Sequence, residues 1–153
     1  MKAMRHLARL LFVIALAGCA SGAARPYVTV QAGTAPRLDI DTKLKLVLQR
    51  HQYVLVREEQ ETNLYYETQW RPRTPFDDEQ GVGATHAESR IIVRARPRSR
   101  ETANYTVSFT VENRLRTADA EWVSSAVTDQ FGRYARELGG EFTRELAQGI
   151  RVR

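Results

Sequence analysis

The chain of 153 residues has one cysteine, Cys19, and three histidines, His6, His51 and His86. A single cysteine excludes a disulfide within the chain and any paired-cysteine metal site. The most apolar stretch, Leu10–Ala17 (LLFVIALA), falls well short of the roughly 20 apolar residues a membrane-spanning helix needs. There is no HExxH, no glycine-rich phosphate loop and no GxSxG elbow around Ser89, Ser99, Ser108, Ser124 or Ser125. Carboxylates are plentiful, including Glu67, Asp77, Asp78, Glu79, Glu88 and Glu112, but no spacing singles out a glycosidase-like pair. Metal, nucleophilic and phosphoryl-transfer chemistry are therefore without a carrying motif. The expectation is a protein that is not an enzyme, with no cofactor and no metal.

What is present starts at the N-terminus. Lys2, Arg5 and Arg9 make a basic head without an acid, and the apolar run follows directly. That is the layout of an export signal. It ends in Leu16-Ala17-Gly18-Cys19, which resembles the signal-peptide motif of bacterial lipoproteins at all four positions. The resemblance implies cleavage before Cys19, a diacylglyceryl thioether on its sulfur and acylation of the new amine. A thiol suits this role because its thiolate forms readily and is strongly nucleophilic. Two or more acyl chains give durable attachment, at about 0.8 kcal/mol per buried CH₂. Ala20 and Ser21 follow, with no Asp in the position that family sorting rules associate with inner-membrane retention. The resemblance thus implies an outer-membrane, lipid-anchored protein facing the periplasm, whose first partner is membrane lipid through acylated Cys19.

Residues 1–18 are then a leader, and 19–37, rich in small residues with Gly22, Pro26, Gly33 and Pro36, reads as a lipidated tether. YVTVQ (27–31) is the one segment there with strand character. Removing the leader lowers the formal charge from +5 to +2, so the high pI is partly the leader's. No nucleic-acid partner is expected. RARPRSR (94–100) reads as a solvated strand end and turn. The remaining 38–153 is enough for a single small domain.

Within it, Asp39 and Asp41 suggest a cap for a helix over 41–51, with Leu44, Val47 and Leu48 inward. Strands are predicted over 53–57 and 64–71. In the latter, Leu64, Tyr66, Thr68 and Trp70 share the core face, and Tyr65, Gln69 and Arg71 the other. Residues 72–87 read as a polar insertion, with Phe76 its one large aromatic, pinning the loop or facing a partner. Two more strands follow, one with Ser89, Ile91, Val93 and Ala95 inward, the other with Tyr105, Val107, Phe109 and Val111. Trp122 and Val123 are expected to pack at the entry of a last helix. Thr128 caps that helix and Phe131, Ala135, Leu138, Phe142 and Leu146 form its stripe. Gly139 and Gly140 interrupt it, marking either a bend or a close approach to the sheet.

The predicted fold is α+β, a two-layer sandwich of a four-stranded antiparallel sheet with two helices on one face (α-β-β-β-β-α). This order, over roughly residues 40–150, loosely resembles in topology the small domains of BamC-type outer-membrane assembly lipoproteins. Likeness of fold does not carry function. The open face suggests an interaction surface at Tyr65, Gln69, Arg71, Phe76 and Arg94, with Ile92 and Ser108 beside them, since Tyr and Arg are favoured in hot spots. The leading expectation is a membrane-anchored envelope lipoprotein with a non-catalytic binding or scaffolding role toward envelope proteins. One alternative is a carrier or sensor of a small apolar ligand held among Phe109, Phe131, Leu138 and Phe142. Another is a cell-wall-acting enzyme using Asp77, Asp78 and Glu79. The same loop holds His86, which with these three is the one candidate set for a loop metal site.

Overall fold

The computed structural model describes residues 25–99, 103–118 and 121–149. The leader and Cys19 lie outside the described residues. The fold is α+β, with an antiparallel sheet of seven strands rather than four. In chain order the elements are β1 (Tyr27–Pro36), α1 (Arg37–Arg50), β2 (Leu55–Gln60), β3 (Leu64–Thr68), β4 (Arg71–Arg73), α2 (Asp77–Gln80), β5 (His86–Pro97), β6 (Asn104–Arg116), β7 (Val123–Ser124) and α3 (Asp129–Gln148). The sheet order is β1-β6-β5-β3-β2, with β4 on β5 and β7 on β6.

The long hairpin β5–β6 is the spine. Its alternation is regular, and Ile91, Val93, Ala95, Val107, Phe109 and Val111 are all buried on one face. Helices α1 and α3 cover that face. Ile40, Leu44, Val47 and Leu48 of α1 meet Phe131, Ala135, Leu138, Phe142 and Leu146 of α3 in one core. The Phe109 and Phe142 rings stand 5.2 Å apart within it. Phe109, Phe131, Leu138 and Phe142, expected in one alternative to line a ligand cavity, instead pack together in that core.

Both helix starts have identifiable causes. The Thr128 hydroxyl accepts the Phe131 N–H at 3.3 Å, and Asp129 lies in the first turn, where a carboxylate suits the helix dipole. Helix α1 begins at Arg37, four residues before the expected start. Pro36 ends β1 in extended backbone and the chain turns straight into the helix, so Asp39 and Asp41 sit inside it rather than capping it. Asp41 instead pairs with Lys45 at 2.8 Å, one turn on. The two helices are joined at their polar rims by Lys43–Glu145 (3.3 Å) and by a His51–Glu141–Arg50 cluster, with His51 Nε2 2.7 Å from Glu141. Burial pushes the Glu141 carboxyl up, but its hydrogen bonds with His51 and Arg50 outweigh this and hold it below the ordinary carboxylate value.

Three segments depart from expectation. Tyr27–Pro36, assigned from sequence to the tether, is a ten-residue edge strand paired along β6. It escapes simple alternation because the register slips between Gln31 and Gly33, where Gly33 adopts φ +100°. Val28 packs against the core before this bulge, with Val30 against Gly139 of α3, and Ala32 at the bulge and Ala35 after it belong to the core. The expected strand 64–71 is two strands. Glu67 pairs with Ile92 and Arg71 with Ser89, which leaves one extra residue on this side. The Thr68 hydroxyl accepts the Ile91 N–H at 2.9 Å in place of a backbone carbonyl. Every side chain beyond the bulge is therefore flipped, and Trp70 leaves the core face on which alternation had placed it. Val123 is exposed in β7 and not packed against α3, and Trp122 does not pack at the entry to α3 either. It stacks on Arg114 and Arg116 across the sheet from that helix.

Candidate binding face

Among the described residues no helix covers the second face of the sheet. Register builds it in cross-strand rows: Tyr27, Glu112 and Arg90; then Thr29, Thr110, Ile92 and Glu67; then Gln31, Ser108, Arg94 and Tyr65. Hydroxyl and amide side chains dominate the β1–β6 side. Thr29 and Thr110 share a hydrogen bond of 2.9 Å between their hydroxyls. Tyr27, Thr29, Gln31, Arg94, Thr106 and Ser108 help line a shallow polar groove of about 520 Å³.

Beside the groove runs an alternation of cations and rings. Arg57 and Arg94 lie over the Tyr65 ring at 4.9 and 5.3 Å. Arg90 and Arg114 bracket Trp70 at 4.7 and 4.4 Å, and Arg114 and Arg116 lie over Trp122 at 4.8 and 5.1 Å. Contacts of this kind contribute about 0.5–1 kcal/mol each where exposed. Carboxylates fix some of the cations: Arg90 bonds Glu112 at 2.6 Å and also Glu67, and Arg114 bonds Glu88 at 2.6 Å. The Tyr65 hydroxyl donates to Glu67 at 2.8 Å, and burial raises its pKa before that bond adds to the effect. Arg94 and Arg96, both exposed, pair with no carboxylate among the described residues. They stand two residues apart on one strand face, about 7 Å along the strand.

The five surface residues expected from sequence are divided. Tyr65 and Arg94 meet on the open face as described. Gln69 is exposed at the bulge, where its N–H is held by the Val54 carbonyl at 2.8 Å. Arg71 is turned to the helix side, with its guanidinium 5.2 Å from the Tyr53 ring. Phe76 is also on that side, 5.8 Å from the Tyr134 ring and 4.4 Å from the Arg73 guanidinium. It pins the 72–87 segment to the domain. Sequence reasoning passed over Tyr27, Thr29, Gln31, Arg90 and Arg114, and it assigned Trp70 to the core and Trp122 to the entry of the last helix. The alternation of YVTVQ was the available signal for the first three.

The acidic loop residues diverge. Glu79 is fully buried; it takes Arg73 on both oxygens (2.6 and 2.7 Å), the Asn113 amide at 2.8 Å and the Phe76 N–H at 2.9 Å. Asp78 accepts the Gln130 N–H at the start of α3, while the Asp77 N–H donates to the Gln130 side chain. His86 is bonded to Thr85 at 3.0 Å. Among the described residues no three His, Cys, Asp or Glu side chains are grouped to hold a metal ion. A second polar cluster, Ser89–Tyr53–Tyr134, is linked through hydroxyls at 2.7 and 2.8 Å beneath the sheet.

Neither protein-family models nor curated proteins match the chain.

Proposed function

We propose that this is a membrane-anchored envelope lipoprotein, held by acylated Cys19 in the outer membrane and facing the periplasm. Its role is non-catalytic: the open sheet face binds another envelope protein. The observation that carries the reading is the asymmetry of the sheet. One face is sealed by two helices. The other, among the described residues, is left as a polar groove with a ring-and-cation array beside it, and Arg94 and Arg96 line that groove. Pre-placed Arg and Tyr side chains with satisfied neighbours are the composition of interface anchors. Two cations on one strand without a carboxylate partner among the described residues favour a partner surface with carboxylates.

The test uses the full-length chain in its native membrane. A photo-cross-linking residue is placed at Thr29 or Ser108 in the groove, or at the exposed Leu38 on α1. Groove positions are expected to capture one envelope protein, which Leu38 does not capture and which is lost in Arg94→Glu/Arg96→Glu. Labelling with an alkyne fatty acid is expected in the parent and absent in Cys19→Ser. A labelled protein whose groove and helix positions give the same background would overturn the binding-face reading. An unlabelled parent would overturn the anchor.

A further inference from the structure

Both tryptophans of the chain lie toward one end of the molecule. Arg114 is within cation–π distance of each, and Arg116, the last residue of β6, lies over Trp122. At this end two large apolar side chains are exposed, Val82 (68%) and Val123 (58%). Val82 is presented at a turn between Gly81 and Gly83, the latter at φ +88°. Val123 pairs with Leu115. With Ala84, Leu115 and Ala126, the two valines line a surface cleft of about 360 Å³. Arg116 pairs with no carboxylate among the described residues.

This is also the end at which the chain arrives from Cys19. The Pro26 carbonyl accepts the Asn113 N–H at 3.0 Å, which fixes the start of β1 beside Arg114. Pro26 is seven positions after Cys19, and a fully extended chain of that length reaches about 25 Å at most. An acylated Cys19 would therefore hold this end closest to the membrane.

We propose that the Val82–Trp122–Val123 end of the domain seats on the phospholipid headgroup layer of the membrane that carries the anchor. The inference rests on the lipid-anchor reading above. The chemistry matches the occupant. Tryptophan is the side chain most at home at the headgroup level, with an apolar body and one polar N–H. Exposed valines at the rim supply apolar area to the acyl boundary. Arg116 stands where anionic lipid phosphates would lie and pairs with no carboxylate among the described residues, whereas Arg114 is already held by Glu88 at 2.6 Å.

The test is depth quenching. Full-length Trp70→Phe, which leaves Trp122 as the sole tryptophan, is reconstituted into vesicles of phosphatidylethanolamine and phosphatidylglycerol with plain or brominated acyl chains. Intact mass reports acylation and circular dichroism reports folding. Brominated chains are expected to quench Trp122 emission measurably relative to plain chains, since an interfacial ring lies within reach of the acyl boundary. Val82→Asp/Val123→Asp in the same background is expected to remain acylated and folded and to lose the quenching. Equal emission in the two vesicles from an acylated chain would overturn the seating and leave the anchor standing. Quenching unchanged by the two aspartates would overturn it too. An unacylated chain would bring down both readings.

Discussion

Gly139 of α3 lies directly on Val30 of β1: a Cβ at residue 139 would stand 2.6 Å from one Val30 methyl and 2.8 Å from its Cβ. The helix runs unbroken through both glycines, so the pair marks a close approach and not a bend. The neighbouring Gly140 faces outward, where a Cβ would meet only the Arg144 guanidinium at 3.7 Å. The two glycines should therefore respond oppositely to alanine. Gly140→Ala is expected to stabilise by about 0.5–1 kcal/mol through helix propensity. Gly139→Ala gains the same propensity but forces Val30 and β1 away, and overpacking of this kind costs about 1–3 kcal/mol. Urea unfolding of the two variants decides; equal and favourable effects would mean that the approach of α3 to β1 is looser than described.

Arg73 and Glu79 make the most buried ion pair, with 7% and 0% of their side chains exposed. Removing one partner leaves a charge without water. Arg73→Met is expected to destabilise by about 3–5 kcal/mol, since Glu79 would keep only neutral donors. The double variant Arg73→Met/Glu79→Met should recover much of that loss, because the desolvation cost disappears with the charges. Thermal unfolding of the three proteins in parallel measures the difference.

The spine of the fold was legible because β5, β6 and α3 obey single periods. The inward residues of 89–95 and 105–111, and the stripe from Phe131 to Leu146, could be read residue by residue. What escaped was set by breaks in period. A bulge at Gly33 splits β1 between two phases, and small residues on either side read as a tether. A bulge at Thr68 reverses the phase after it, which moved Trp70 to the open face and Arg71 off it. Two-residue and three-residue strands, β7 and β4, are too short to carry a pattern at all. The binding face suffered most, since it is assembled by register across four strands. Tyr65 and Arg94 were recognisable as outward residues, but their meeting depended on which strands are neighbours.

Tyr53 and Tyr66 give the domain an alkaline limit. Burial pushes both hydroxyls up, with the Tyr134 hydroxyl adding to the effect at Tyr53 and the charges of Asp41 and Glu58 at Tyr66, which reaches about 12. In the unfolded chain each ionises near its ordinary value of 10. Their contribution to stability is thus fully present below pH 10 and is lost as pH rises through the folded value. Unfolding free energy is expected to fall between pH 10 and 12, and less steeply in Tyr66→Phe. The Tyr66 hydroxyl is buried without a hydrogen-bond partner among the described residues, so the same variant should cost nothing at pH 7. Denaturant titrations at stepped pH check both statements.

The Thr68 hydroxyl ties the fold to the open face. It takes the buried Ile91 N–H at 2.9 Å and donates to the Gln69 carbonyl at 3.0 Å, so it holds the extra residue that turns Trp70 outward between Arg90 and Arg114. Thr68→Val keeps the shape but orphans a buried donor, a loss of about 1–3 kcal/mol. Thr68→Ser keeps the hydroxyl and should lose far less. If the bulge depends on this bond, Thr68→Val will also speed hydrogen exchange at the Ile91 amide and shift Trp70 emission in a Trp122→Phe background, while Thr68→Ser leaves both near the parent. A stable Thr68→Val with parental emission would instead mean that pairing of Arg71 with Ser89 alone fixes the register, and that Trp70 reaches the binding face without help from its neighbour.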